Sequence, residues 1–173
     1  MAYDFSFEHF DNHFYVLTNN DNVNEFKVKK FPEAPSKWDS QNWQDYITPE
    51  PSTEITDIHI YNQYLVMVIK NNNLALEEIV VKNLKTQETK KSPMAGEAYS
   101  LSFSGDWDFN STKVRLWLST PINSYQAYEL DLETNSQTLQ FTEQTPHFDS
   151  SKYECIRRMA PSRDGKEIPV TLT

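Results

Sequence analysis

Apolar and polar residues alternate along this chain in short bursts. No window holds a 3.6-residue apolar period over three turns. Instead Tyr, Val, Ile, Leu, Phe and Thr recur at every second position between polar turns, the signature of half-buried strands. The pattern predicts twelve strands in three groups of four. The first group is Phe5 to Phe10, His13 to Thr18, Glu25 to Phe31 and Trp43 to Thr48. The second is Ile55 to Tyr61, Gln63 to Lys70, Leu74 to Leu84 and Glu88 to Lys91. The third is Ala98 to Phe103, Lys113 to Ser119, Tyr125 to Leu132 and Gln137 to Phe141. Each group spans about 45 residues, a repeat length typical of propeller blades. Short connections make each one an antiparallel meander.

Turn chemistry supports these divisions. Asn19 to Asn22, Asn71 to Asn73, Lys85 to Gln87 and Glu133 to Ser136 carry residues that tolerate left-handed backbone or cap their own turns. With only three glycines in the chain, Asn must fill positive-φ positions, Asn135 among them. The longest irregular stretch runs from Pro32 to Asn42, includes Pro35 and Trp38, and reads as a surface connection. After a polar segment from Thr145 to Ser151, the residues from Tyr153 to Thr173 read as strand, Asp164-Gly165 turn and strand. The expected fold class is therefore all-β. It comprises a partial β-propeller of three four-stranded antiparallel blades (about 3–50, 51–95 and 96–146, together 1–146), then a linker and C-terminal β-hairpin over 147–173.

Composition narrows the function. Twenty-five Asp and Glu against 16 Lys and Arg give a net charge of −9, which disfavours nucleic acid, whose phosphates require clustered cations. The densest basic stretch, Arg157, Arg158, Arg163 and Lys166, straddles a turn. A mean hydropathy of −0.69 with 13% aromatic residues suits thin sheets. Apolar runs such as Leu65 to Ile69 and Ile79 to Val81 are far too short for a membrane span. One cysteine, Cys155, excludes a disulfide framework within the chain. The first residues carry neither a basic nor an apolar signal region, so a cytoplasmic protein is expected, and the Asn110-Ser111-Thr112 sequon is taken as chance.

Candidate chemistry is sparse. A nucleophile elbow needs glycines four apart, and Gly96, Gly105 and Gly165 do not supply them. The same spacing excludes phosphate-cradling glycine loops. His9 and His13 flank an Asp11-Asn12 turn and read as structural or solvent-facing. His59 alternates with Ile58 and Ile60, so it faces away from them; His147 falls in a loop. Cys155 beside Arg157 and Arg158 has the surroundings of an activated thiol, but a buried strand cysteine is the simpler reading. Asp106-Trp107-Asp108-Phe109-Asn110 opens like a calcium loop, then lacks the sixth-position Gly and has Trp117 in place of the bidentate Glu; a polar turn is the plainer assignment. Glu77 and Glu78, adjacent on a strand, point to opposite faces. Phe10, Phe14, Tyr15, Phe26 and Phe31 read as packing residues. The expectation is no catalytic, cofactor or metal site.

Several local matches occur in order along nearly the whole chain. His13 to Asn19 looks like an aromatic-rich strand ending in Thr-Asn, and Asn42 to Ile47 like an outer strand opening Asn-Trp. Tyr64 to Val68, then Ser119-Thr120-Pro121 with Tyr128 to Asp131, resemble later blade strands. Arg163-Asp164-Gly165-Lys166-Glu167-Ile168-Pro169-Val170 resembles the first hairpin of a hydrolase domain. Together they resemble the prolyl oligopeptidase family, nearest its oligopeptidase B (protease II) branch, over the C-terminal three blades of a seven-bladed propeller. The resemblance implies the substrate-gating propeller of a cytoplasmic serine oligopeptidase that cleaves short peptides. The nucleophile, acid and base would all lie downstream of Thr173, so the chain alone is expected to be inactive. Three blades would leave apolar faces open. The partners expected are a second copy, for instance closing a six-bladed ring, or a hydrolase domain on a separate chain as in a split peptidase. A stand-alone β-repeat interaction module is the rival reading.

Overall fold

The structure, a computed structural model, describes residues 5–19, 26–34, 36, 39–94, 96, 98–104 and 108–173. Its strands form three four-stranded sheets and a hairpin, every pairing antiparallel. The first sheet is β1 (Phe5–Phe10), β2 (His13–Thr18), β3 (Lys27–Pro32) and β4 (Gln44–Ile47). The second is β5 (Thr53–Tyr61), β6 (Tyr64–Asn71), β7 (Leu76–Asn83) and β8 (Thr89–Lys91). The third is β9 (Ser100–Ser104), β10 (Lys113–Thr120), β11 (Asn123–Asp131) and β12 (Ser136–Thr142). Each keeps its strands in sequence order, the meander that short turns impose. β13 (Ile156–Pro161) and β14 (Glu167–Leu172) make the hairpin.

The sheets stack face to face through two apolar clusters. Tyr15, Leu17 and Val28 of the first sheet meet Ile55, Ile58, Ile60, Leu65, Met67 and Val80 of the second. On the second sheet's other face, Tyr61, Tyr64, Val66, Ile79 and Val81 meet Val114, Leu116 and Leu130 of the third. This explains a contrast in the sequence. The middle sheet is covered on both sides, so β6 is buried continuously from Tyr64 to Val68. In β10 only one side is covered, so buried Val114, Leu116 and Leu118 alternate with Lys113, Arg115 and Trp117. Full burial of each such aliphatic side chain stabilises by about 1.5–3 kcal/mol. Strand β1 runs beside β5, so the first two sheets converge at their first strands; that edge is the inner rim of the stack.

Polar contacts fix the blades' relative height. Ser92 Oγ donates to Asn135 Oδ1 (2.5 Å), Asn135 Nδ2 donates to Lys91 O (2.9 Å), and Gln137 Nε2 donates to Pro93 O (2.9 Å). The second and third sheets also repeat one turn. Asn83 Oδ1 accepts from the amides of Lys85 and Thr86, and Asp131 Oδ1 accepts from those of Glu133 and Thr134. Gln87 and Asn135 then take φ of 64° and 60°.

Several boundaries shift for local reasons. The turn after β6 extends to Ala75, because Asn71 Oδ1 caps both Asn73 and Leu74, which delays β7 to Leu76. Strand β4 begins at Gln44, not Trp43, after a 3₁₀ turn at Ser40–Asn42 whose entry Asp39 caps. Positive φ falls on Asn12, Asn62 and Asn135, but equally on Asp11, Ser52, Ala75, Gln87 and His147. Cys155 is half-buried and precedes β13; the strand starts one residue later, so it is not a buried strand cysteine. The expected turn at Asn20 to Asn22, the strand start at Glu25, Pro35 and Trp38, and Gly105 to Trp107 lie outside the described residues.

Candidate functional site

A cluster of three titratable groups lies on the inner rim. A β-bulge interrupts β5 between Ile55 and Asp57, where Ile55 pairs with Ile69 but Asp57 pairs with Val68. The extra residue, Thr56, shifts the alternation by one. Ile55, Ile58 and Ile60 therefore all face the first sheet, while Asp57, His59 and Tyr61 share the opposite face. His59 Nε2 lies 3.1 Å from Asp57 Oδ2, and its Nδ1 lies 3.5 Å from Glu8 Oε1 on β1. The rings of Tyr61 and of Phe103 on β9 stand 6.3 and 5.7 Å from the imidazole. The side chain of His59 is 16% exposed.

This arrangement favours imidazolium. The Asp57 hydrogen bond, then that of Glu8, raises the His59 pKa to about 9 against the pull of burial. At Asp57 burial pushes the carboxyl up, but His59's hydrogen bond and charge and the Ile58 amide outweigh it and hold the group low. Facing alone was legible for His59; its two carboxylates were not. The one available signal was the spacing Ile55, Ile58, Ile60, a three followed by a two, which marks a bulge.

Other candidates separate. His9 Nε2 lies 3.3 Å from Glu33 Oε2, whereas His13 Nδ1 donates to Asp11 O at 2.8 Å. His147 is exposed in a loop. Asp108 accepts from the Asn110 amide at 2.9 Å, a capped turn. Glu78 reaches Lys91 at 3.2 Å, while Glu77 offers its backbone carbonyl to the Tyr99 hydroxyl at 2.6 Å. Tyr15 is in the core, Phe10 and Phe26 pack against it, and Phe14 stacks on Phe31 on the sheet's other face. Among the described residues no group of three His, Cys, Asp or Glu side chains is arranged to hold a metal ion, and no helix is long and apolar enough to cross a membrane.

Cys155 lines a cavity of about 370 Å³ with Met94, Ala98, Leu118, Ile122 and Gln126. Beyond it the hairpin reaches the turn between β6 and β7, where the Arg157 guanidinium donates to Leu74 O; within the hairpin it donates to Thr171 Oγ1 at 3.0 Å. Its opposite face presents Ile168, Val170 and Leu172, 36–50% exposed, around Arg158, the cross-strand partner of Val170.

Superposed on solved structures, the three sheets and the hairpin together match oligopeptidase B from Leishmania major with a TM-score of 0.81, covering 98% of this chain at 17% identity. The fold is that of the prolyl oligopeptidase propeller. Oligopeptidase B from Trypanosoma brucei gives a TM-score of 0.80 over 98% of the chain at 19% identity. In sequence the chain is similar to dipeptidyl aminopeptidase BI of Pseudoxanthomonas mexicana, 26% identical over 95% of its length. It is also similar to the human prolyl endopeptidase-like protein, 24% identical over 95%. It spans 22% of the length of those two relatives and 24% of each of the two oligopeptidases. No protein-family model matches the chain.

Proposed function

We propose that these blades belong to a substrate-gating propeller of a serine oligopeptidase acting on short peptides, and contribute no catalytic residue themselves. The observation that carries this reading is the order of the match. Three sheets and the hairpin align in sequence over 98% of the chain with peptidases of which they form about a quarter. The partner is a hydrolase body seated on the apolar face of the hairpin, Ile168, Val170 and Leu172, whether in the same polypeptide or in another. A single cysteine suits a reducing compartment such as the cytoplasm. The test is a chimera of the Pseudoxanthomonas mexicana dipeptidyl aminopeptidase BI in which this chain replaces the matching quarter. The chimera is expected to cleave a fluorogenic dipeptidyl amide and spare casein. Digestion of casein at a comparable rate would remove the gating role, and hydrolysis by the 173-residue chain alone would remove the claim that it is catalytically silent.

A further inference from the structure

We propose that Glu8, His59 and Asp57 form an ionic latch at the inner rim that sets how tightly the first blade is held against the second. The argument starts from placement. The Thr56 bulge puts Asp57 and His59 on the same face of β5, and Asp57 fixes one nitrogen of the ring at 3.1 Å. The other nitrogen then points at Glu8, 3.5 Å away, on the first strand of the preceding blade. Phe103, from the first strand of the following blade, closes on the ring at 5.7 Å. One imidazole thus touches the first strands of three successive blades. Elsewhere the first two sheets meet through apolar packing of Tyr15, Leu17, Ile58 and Ile60 and through Tyr46 of β4, whose hydroxyl donates to Gln87 Oε1 at 3.1 Å and whose ring lies 5.7 Å from Lys82 Nζ.

Among the described residues, the charged groups facing His59 are Asp57 on its own strand and Glu8 on β1. Tyr61 and Phe103 contribute rings. Two carboxylates against one imidazolium leave the latch with a net negative charge. Neutralising either carboxylate or the ring removes one of its two ionic arms. The arm to Glu8 crosses between blades and the arm to Asp57 does not, so the two are separable by substitution.

The test is imidazole NMR on the 173-residue chain, which has four histidines, between pH 5 and 10, combined with urea unfolding across the same range. His59 is expected to titrate at least one pH unit above the ordinary imidazole value of about 6.5. E8Q should lower its midpoint by at least half a unit, and D57N should lower it further. The urea midpoint of the wild type should fall as pH rises through the His59 titration, and E8Q should flatten that slope. In E8Q/H59Q the loss should equal that of H59Q alone, because the two groups act as one contact. A His59 midpoint at the ordinary imidazole value, or one unmoved by E8Q, overturns the latch; so does additivity in the double variant. E8Q and D57N keep the imidazole, so the titration remains decisive even where H59Q does not fold.

Discussion

Ala75 holds a φ of 49°, a conformation that costs an L-residue without a polar side chain about 1–2 kcal/mol. The turn tolerates it because Asn71 Oδ1 caps the amides of Asn73 and Leu74. Ala75→Gly is therefore expected to raise stability by about 0.5–1 kcal/mol, read as a higher urea midpoint. Asn135, at φ 60°, should behave in the opposite way. Its amide side chain bonds Lys91 O and Ser92 Oγ, so Asn135→Gly relieves backbone strain but removes two contacts between blades and should lower the midpoint. A gain in the second variant would mean those contacts contribute nothing. Ionisation acts at the same scale. His59, raised from 6.5 to about 9, contributes stability in full below pH 6.5 and loses it as pH climbs through 9. Asp57, lowered from 3.8, contributes above that value and loses its share as pH falls below it. Stability from this pair should peak at mildly acidic pH, between roughly 4 and 6.5.

Among elements, the hairpin is the least supported. A two-stranded sheet is marginal by itself in water, and among the described residues β13 and β14 pair only with each other. Arg157 ties them to the β6–β7 turn, bonding both Leu74 O and Thr171 Oγ1. Arg157→Ala is expected to speed amide exchange in Ile156–Pro161 and Glu167–Leu172 at least tenfold while leaving β6 unchanged. Equal protection in the variant would assign the hairpin's order to its turn, where the Ser162 amide donates to Lys166 O at 2.7 Å. Strand positions were legible in sequence because apolar residues alternate, or in β6 run together, between polar turns such as Asp11-Asn12, Asn71 to Asn73 and Glu133 to Ser136. The bulge in β5 left only the Ile55, Ile58, Ile60 spacing as a trace, since one inserted residue leaves composition unchanged and alters only which face the following residues share. The same holds for the Asn71 cap, which lengthened a turn by adding Leu74 and Ala75.

At the scale of the whole molecule, the middle blade is buried on both faces and the third blade on one. The free face of the third blade carries Phe141 and Tyr125, 51% and 55% exposed, with Trp117 set edge-on to Phe141 at 6.2 Å. Lys113 and Glu129 pair at 2.7 Å on the same face, so it mixes aromatic rings with neutralised charge, as association surfaces do. The purified chain is expected to show a light-scattering mass above its own 20.3 kDa, and Y125E/F141E should return it to that value. A monomeric wild type would assign these rings to the propeller's remaining blades instead of to a second copy.

The sequence by itself determined the strands, their grouping in fours, the hairpin and the lack of a nucleophile elbow. Each of these follows from local periodicity, turn residues or glycine spacing, which neighbours in the chain decide among themselves. Its ordered matches also pointed to the prolyl oligopeptidase propeller. Only the tertiary structure decided that Glu8 would meet His59 across 51 positions of sequence, that Cys155 would line a cavity, and that Arg157 would hold the hairpin to Leu74. Those contacts depend on how whole sheets stack and on a single bulge that changes the facing of a strand. Stacking is set by burial summed over many side chains, and no single stretch of sequence encodes it.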